Sequence, residues 1–331
     1  MAVNLRLIIL RDMMIEPNSK NVKYPTQLAI FLGLTGGGLM IGSLATFAIW
    51  SIMTTDPFPL NAEQILQPKY YKVNMVLQAV TTFFIFFVPA HFFALICYRK
   101  PFTYLGFNFR FNYKQVLLLI GILILTFPLS GALAELNKIL PISPYWAAKF
   151  KAMELERELQ EAALININSF SKYIISLIVI AFLPAVFEEM FFRGGMQNLF
   201  TRWFKGPWVA IILTSIIFSL IHLSFYGFLV RFALGVVLGF IFYYSGSLWL
   251  SILFHFLFNG VQLTALYVMT MNGVKNKNVE DNFPLWMGAI AMLLLLYLFQ
   301  LYKQTSAIQQ SKHVEEISPE DEFHNWTANN S

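Results

Sequence analysis

The chain has 331 residues, of which 57% are hydrophobic and only 12% charged. Soluble globular domains carry about 25% charged residues, so a chain this long with half that share reads as a membrane protein. The net charge of +5 is spread over short loops and the N-terminal arm, and with no basic stripe it excludes a nucleic-acid partner and points to lipid headgroups instead.

The apolar residues fall in runs. A bilayer core about 30 Å thick needs roughly 20 mostly apolar residues per helical span. A lipid-embedded segment must also satisfy its own backbone, so the expected class is an all-α, polytopic bundle. Residues 1–25 form a polar N-terminal arm, in which Arg6, Arg11, Lys20 and Lys23 break up any run long enough for a signal peptide. The transmembrane bundle spans residues 26–302 and about eight helices. Spans are expected at Thr26–Met53, Val73–Cys97, Gln115–Leu136, Lys172–Phe204, Trp208–Leu223, Gly227–Tyr244, Leu248–Met271 and Pro284–Tyr302. Residues 303–331 read as a polar, disordered tail with Glu315, Glu316, Glu320, Asp321 and Glu322 clustered. Lysine and arginine are biased toward one set of loops, which favours both ends in the cytoplasm. A bacterial inner membrane is the default location.

Between the third and fourth spans, Ala147–Leu164 alternates Lys149, Lys151, Glu154, Glu156, Arg157, Glu158 and Glu161 with an apolar stripe. That pattern predicts an amphipathic helix lying on the bilayer or capping the bundle; a solvated linker helix is the alternative. Small residues at four-residue spacing, Gly38 with Gly42 and Gly235 with Gly239, predict close helix contacts. Cys97 reads as a buried apolar residue.

The informative charges lie inside the fourth span, in Phe187-Glu188-Glu189-Met190-Phe191-Phe192-Arg193. At 1.5 Å per residue Glu188 lies roughly 24 Å from Lys172 and roughly 21 Å from Arg202, near mid-depth. Three ionisable groups there put roughly 7–10 kcal/mol at stake before pairing. Glu189 and Arg193 are i and i+4 in the favoured order and are expected to pair. Glu188 points about 100° away and is left without a local cation, which suits a carboxylate base. Pro184, one turn earlier, should kink the helix beside it.

Further polar groups fall in the fifth span, at Phe218-Ser219-Leu220-Ile221-His222, and in the seventh, at His255-Phe256-Leu257-Phe258-Asn259. His255 and Asn259 share one helix face. His222 lies toward the far end of its span, so tilt or an early break near Ser224–Gly227 is needed to bring it to Glu188. His91 reads as interfacial, and Arg231, which opens the sixth span, reads as a snorkelling side chain.

Glu188-Glu189-x-x-x-Arg193, Phe218-x-x-x-His222 and His255-x-x-x-Asn259, in that order and each in an apolar span, resemble the CPBP intramembrane protease family. This is also called the CAAX protease and bacteriocin-processing, or Abi, family. The similarity covers residues 173–260. It implies a cavity among the fourth, fifth and seventh helices, in which Glu188 with His222 deprotonates a water. It further implies that His255 and Asn259 stabilise the oxyanion while Glu189 and Arg193 organise the site. The expected activity is endopeptidase cleavage of membrane-associated, lipidated or CAAX-like peptide or protein substrates within the lipid bilayer. Glu188, His222 and His255 could instead hold a zinc ion, the one cofactor the residues suggest. The zincin His-Glu-x-x-His element is missing, however, and Asn259 is a poor zinc ligand. Two other readings stand beside the peptidase: a non-catalytic scaffold or bacteriocin-immunity protein of the same fold, and a proton-coupled transporter. The absence of internal repeats weighs against the transporter.

Overall fold

A computed structural model describes residues 19–59, 67–164, 167–273 and 283–316. Among these residues the protein is helical, with no strand beyond one isolated bridge between Ser19 and Tyr98. Seven helices are long and apolar enough to cross a membrane. We label them with two further helices in chain order: α1 Tyr24–Met53, α2 Pro68–Cys97, α3 Tyr113–Lys138, α4 Pro144–Leu164, α5 Phe170–Trp203, α6 Pro207–Leu220, α7 Phe228–Ser245, α8 Leu248–Met271 and α9 Leu285–Glu316. The chain is an integral, multi-pass membrane protein.

Helix ends follow from local chemistry. Asn112 and Gln115 form a reciprocal capping box that opens α3, with both hydrogen bonds at 3.0 Å. Pro207 sits in the first turn of α6, where its missing N–H costs nothing, and Gly246 at φ +67° ends α7.

Two elements depart from the expected spans. The fifth was expected to run to Leu223, but α6 stops at Leu220. At about 1.5 Å per residue it is roughly 21 Å long, too short for a full crossing. The eighth was expected to end at Tyr302, but α9 runs on to Glu316. The polar extension is held along the start of α3: Gln115 Nε2 donates to Ser306 Oγ at 3.0 Å, and Asn112 Nδ2 donates to Gln309 Oε1 at 3.0 Å. The rest of the expected tail, residues 317–331, and residues 1–18 of the arm lie outside the described residues.

The amphipathic helix forms as α4 and caps the bundle. Phe150 stacks on Phe225 with ring centres 4.6 Å apart, and Ser224 Oγ donates to Glu154 Oε2 at 2.7 Å. Arg157 bridges Glu154 and Glu161 on the α4 surface. From the other side Asn137, at the end of α3, donates to the Phe225 carbonyl at 2.7 Å and accepts from Leu229 N at 3.0 Å. The α6–α7 turn is thus held between α3 and α4.

Both glycine pairs mark close contacts. A Cβ on Gly38 would lie 2.3 Å from the Phe84 carbonyl oxygen of α2, and one on Gly42 would lie 3.1 Å from Phe84 Cβ. On α7, a Cβ at Gly235 would meet Ser215 at 2.9 Å and one at Gly239 would meet Ile211 at 2.9 Å, so α7 lies tightly on α6.

Candidate active site

The polar side chains of α5 sit where its backbone changes pitch. π-helical turns cover Leu177–Phe182 and Met190–Gln197, with α-helical Leu183–Glu189 between them. The first turn ends two residues before Pro184, whose ring nitrogen cannot donate to the carbonyl one turn back. The kink expected at Pro184 therefore takes the form of a widened turn. The second turn begins immediately after Glu189 and carries Arg193. Such turns concentrate at functional sites.

Glu189 and Arg193 are both fully buried, and they pair as expected: Arg193 Nη1 donates to Glu189 Oε1 at 2.7 Å. The same oxygen accepts from His255 Nδ1 at 2.9 Å. One carboxylate oxygen therefore joins α5 to α8. Arg193 Nη2 donates to the Gly235 carbonyl at 3.1 Å, and one turn on, Gln197 Nε2 donates to the Gly239 carbonyl at 3.0 Å. Residues four apart on α5 thus meet carbonyls four apart on α7. Together these contacts engage both terminal nitrogens of a guanidinium that would otherwise be prohibitive to bury.

Glu188 is different. It is only 9% exposed, and its carboxyl makes no hydrogen bond and no ion pair among the described residues. Its charge feels His255, Glu189, Arg193 and Arg231.

His222 lies just past the end of α6. Its Nδ1 donates to the Phe218 carbonyl one turn back at 2.7 Å. The break needed to place it comes earlier than Ser224: the helix ends at Leu220, and Leu223 takes φ +50°, a left-handed backbone that a leucine adopts only under constraint.

Both imidazoles are therefore held through Nδ1, His222 by a carbonyl and His255 by a carboxylate, and both leave Nε2 for other work. Phe218 links them. Its ring centre is 5.1 Å from that of His222 and 6.1 Å from that of His255, and the Arg193 guanidinium lies 5.0 Å from it. Asn259 follows His255 by one turn on α8, half-buried, and its side chain donates to no protein group among the described residues.

Among the described residues no three His, Cys, Asp or Glu side chains converge as a metal-binding group. Glu188, His222 and His255 are not brought together as such a group.

Sequence reasoning missed several supporting groups. The Gly235 and Gly239 carbonyls were visible only as a packing pair, although their spacing equals that of Arg193 and Gln197. Asn137 and Ser224 carry no pattern that marks them. His91 is half-buried and stacks on Phe87, with ring centres 5.6 Å apart.

Residues 170–261 match the family model described as Rce1-like, type II CAAX prenyl endopeptidase Rce1-like. That segment is thus similar to CAAX-type intramembrane proteases, which supports the resemblance to the CPBP family read from the motifs. The matched stretch runs from the start of α5 to the middle of α8 and contains all six residues picked out from the sequence. Searches of curated proteins and of solved structures find no match.

Proposed function

We propose that this CAAX-type protease cleaves peptide bonds of membrane-associated or lipidated protein C-termini, using Glu188 to activate water. The observation that carries the reading is the contrast between adjacent carboxylates. Glu189 is committed through Oε1 to Arg193 and His255, while Glu188 is enclosed and has no hydrogen-bonding partner among the described residues. A carboxylate with idle lone pairs in a desolvated site is suited to general-base chemistry.

In this scheme Glu188 takes a proton from a water molecule whose other hydrogen is accepted by His222 Nε2. The water oxygen attacks the scissile carbonyl carbon. Charge develops on the carbonyl oxygen, which Asn259 Nδ2–H and the His255 imidazole stabilise. Glu188 then returns the proton to the leaving amine nitrogen as the carbon–nitrogen bond breaks.

The test is cleavage of a farnesylated peptide with a Cys-aliphatic-aliphatic-Met C-terminus by the purified full chain in detergent, beside Glu188→Gln. Cleavage by the wild type that falls at least about a hundredfold in the variant is expected. Cleavage that survives the substitution overturns the mechanism. Activity lost to a chelator and restored by zinc would overturn the metal-free form of the scheme.

A further inference from the structure

The guanidinium of Arg231 is the conspicuous unused cation near the site. Snorkelling would place its nitrogens in water. Instead Arg231 folds back over the α6–α7 turn, and its Nη1 is fully enclosed without a hydrogen-bonding partner among the described residues. The space it fills is the space a side chain at position 227 would need: a Cβ on Gly227 would lie 2.0 Å from that nitrogen.

The acids whose fields reach Arg231 from α4 are already engaged. Arg157 pairs with both Glu154 and Glu161, and Glu154 also accepts from Ser224. The remaining acid in its field is Glu188, and no ion pair joins the two. A half-buried guanidinium with unmet donors, set back from the proposed base, is arranged for an anion that arrives with the substrate.

We propose that Arg231 binds the free C-terminal carboxylate of the substrate and so fixes how far from the chain end the protein cuts. This rests on the proteolytic reading above and extends it to the substrate's terminus. Three extended residues reach about 10 Å, so a carboxylate held by Arg231 would lay a short terminal segment between that residue and the water beside Glu188. A planar fork of donors also matches a carboxylate better than an ammonium would.

The experiment measures binding, so that it does not depend on turnover. Full-length Glu188→Gln protein in detergent is titrated with the fluorescent farnesylated peptide in two forms, free acid and C-terminal carboxamide. The free acid is expected to bind about tenfold or more tightly than the amide. Adding Arg231→Gln should equalise the two forms by weakening the acid alone. Arg231→Lys should keep part of the preference, and Gly227→Ala, which displaces the guanidinium without removing charge, should reduce it. Equal binding of the two forms, a preference that survives Arg231→Gln, or equal weakening of both forms overturns the proposal. Displacement by short-chain phosphatidylglycerol without an acid-over-amide preference would mark a lipid-headgroup site and also overturns it. Failure of the proteolytic reading would show separately, as absent cleavage by protein that retains Glu188.

Discussion

Glu189 holds His255 through one carboxylate oxygen, at 2.9 Å from Nδ1. That oxygen also carries the Arg193 contact, so a single atom sets the orientation of an imidazole on one helix and neutralises a guanidinium on another. Glu189→Gln keeps the shape and removes the charge, leaving Arg193 buried without a counter-ion. Such a loss costs about 3–5 kcal/mol, so a clear fall in thermal midpoint is expected by scanning fluorimetry in detergent. An unchanged midpoint would show that the buried Glu189–Arg193 pair does not contribute to the stability of the fold.

Glu188→Gln should behave in the opposite way. No hydrogen bond is lost, so the midpoint should stay within about 0.5 kcal/mol of wild type while hydrolysis falls by about two to four orders of magnitude. Equal damage to stability and activity would mean that Glu188 is part of the scaffold.

Glycines on α1 offer an internal comparison. A Cβ on Gly38 would collide with the Phe84 carbonyl at 2.3 Å, whereas Gly36 has nothing within 4 Å. Gly38→Ala is expected to destabilise by about 1–3 kcal/mol. Gly36→Ala should be neutral or stabilising by up to about 1 kcal/mol. Similar midpoints for the two variants would rule out the close α1–α2 contact.

The contact between α4 and the α6–α7 turn should depend on pH. Burial on its own would raise the Glu154 carboxyl, but hydrogen bonds from Arg157 and Ser224 outweigh it, so the group sits below its ordinary 4.5. A lowered carboxyl contributes stability that is present above the unfolded value and lost as pH falls through the folded one. Spin labels at the exposed positions Leu155 and Leu223 should therefore keep their separation at neutral pH and move apart only below about pH 4.5. A separation that does not change down to the acid limit of folding would disprove the latch.

Much of this arrangement could be read from the chain. The spans came from apolar run length, and the Glu189–Arg193 pair from four-residue spacing and charge order. Those signals are local. The place where α6 stops is not local. Ile221, His222 and Leu223 continue an apolar helical pattern, and only the turn held by Asn137 and Glu154 ends the helix there. The α9 extension was hidden for a similar reason. Its polar residues resemble a solvated tail until Gln115 and Asn112, nearly two hundred positions earlier, supply partners for Ser306 and Gln309. The shared oxygen of Glu189 likewise needs the three-dimensional placement of α8.

The matched rungs between α5 and α7 limit how the bundle can open. Arg193 and Gln197 meet Gly235 and Gly239 in register, so sliding either helix by one residue would orphan both donors together. Locked in this way, the two helices travel as a single plank. Any doorway for a polypeptide must then be hinged on other timbers, such as α4 or the glycine-lined seam between α1 and α2.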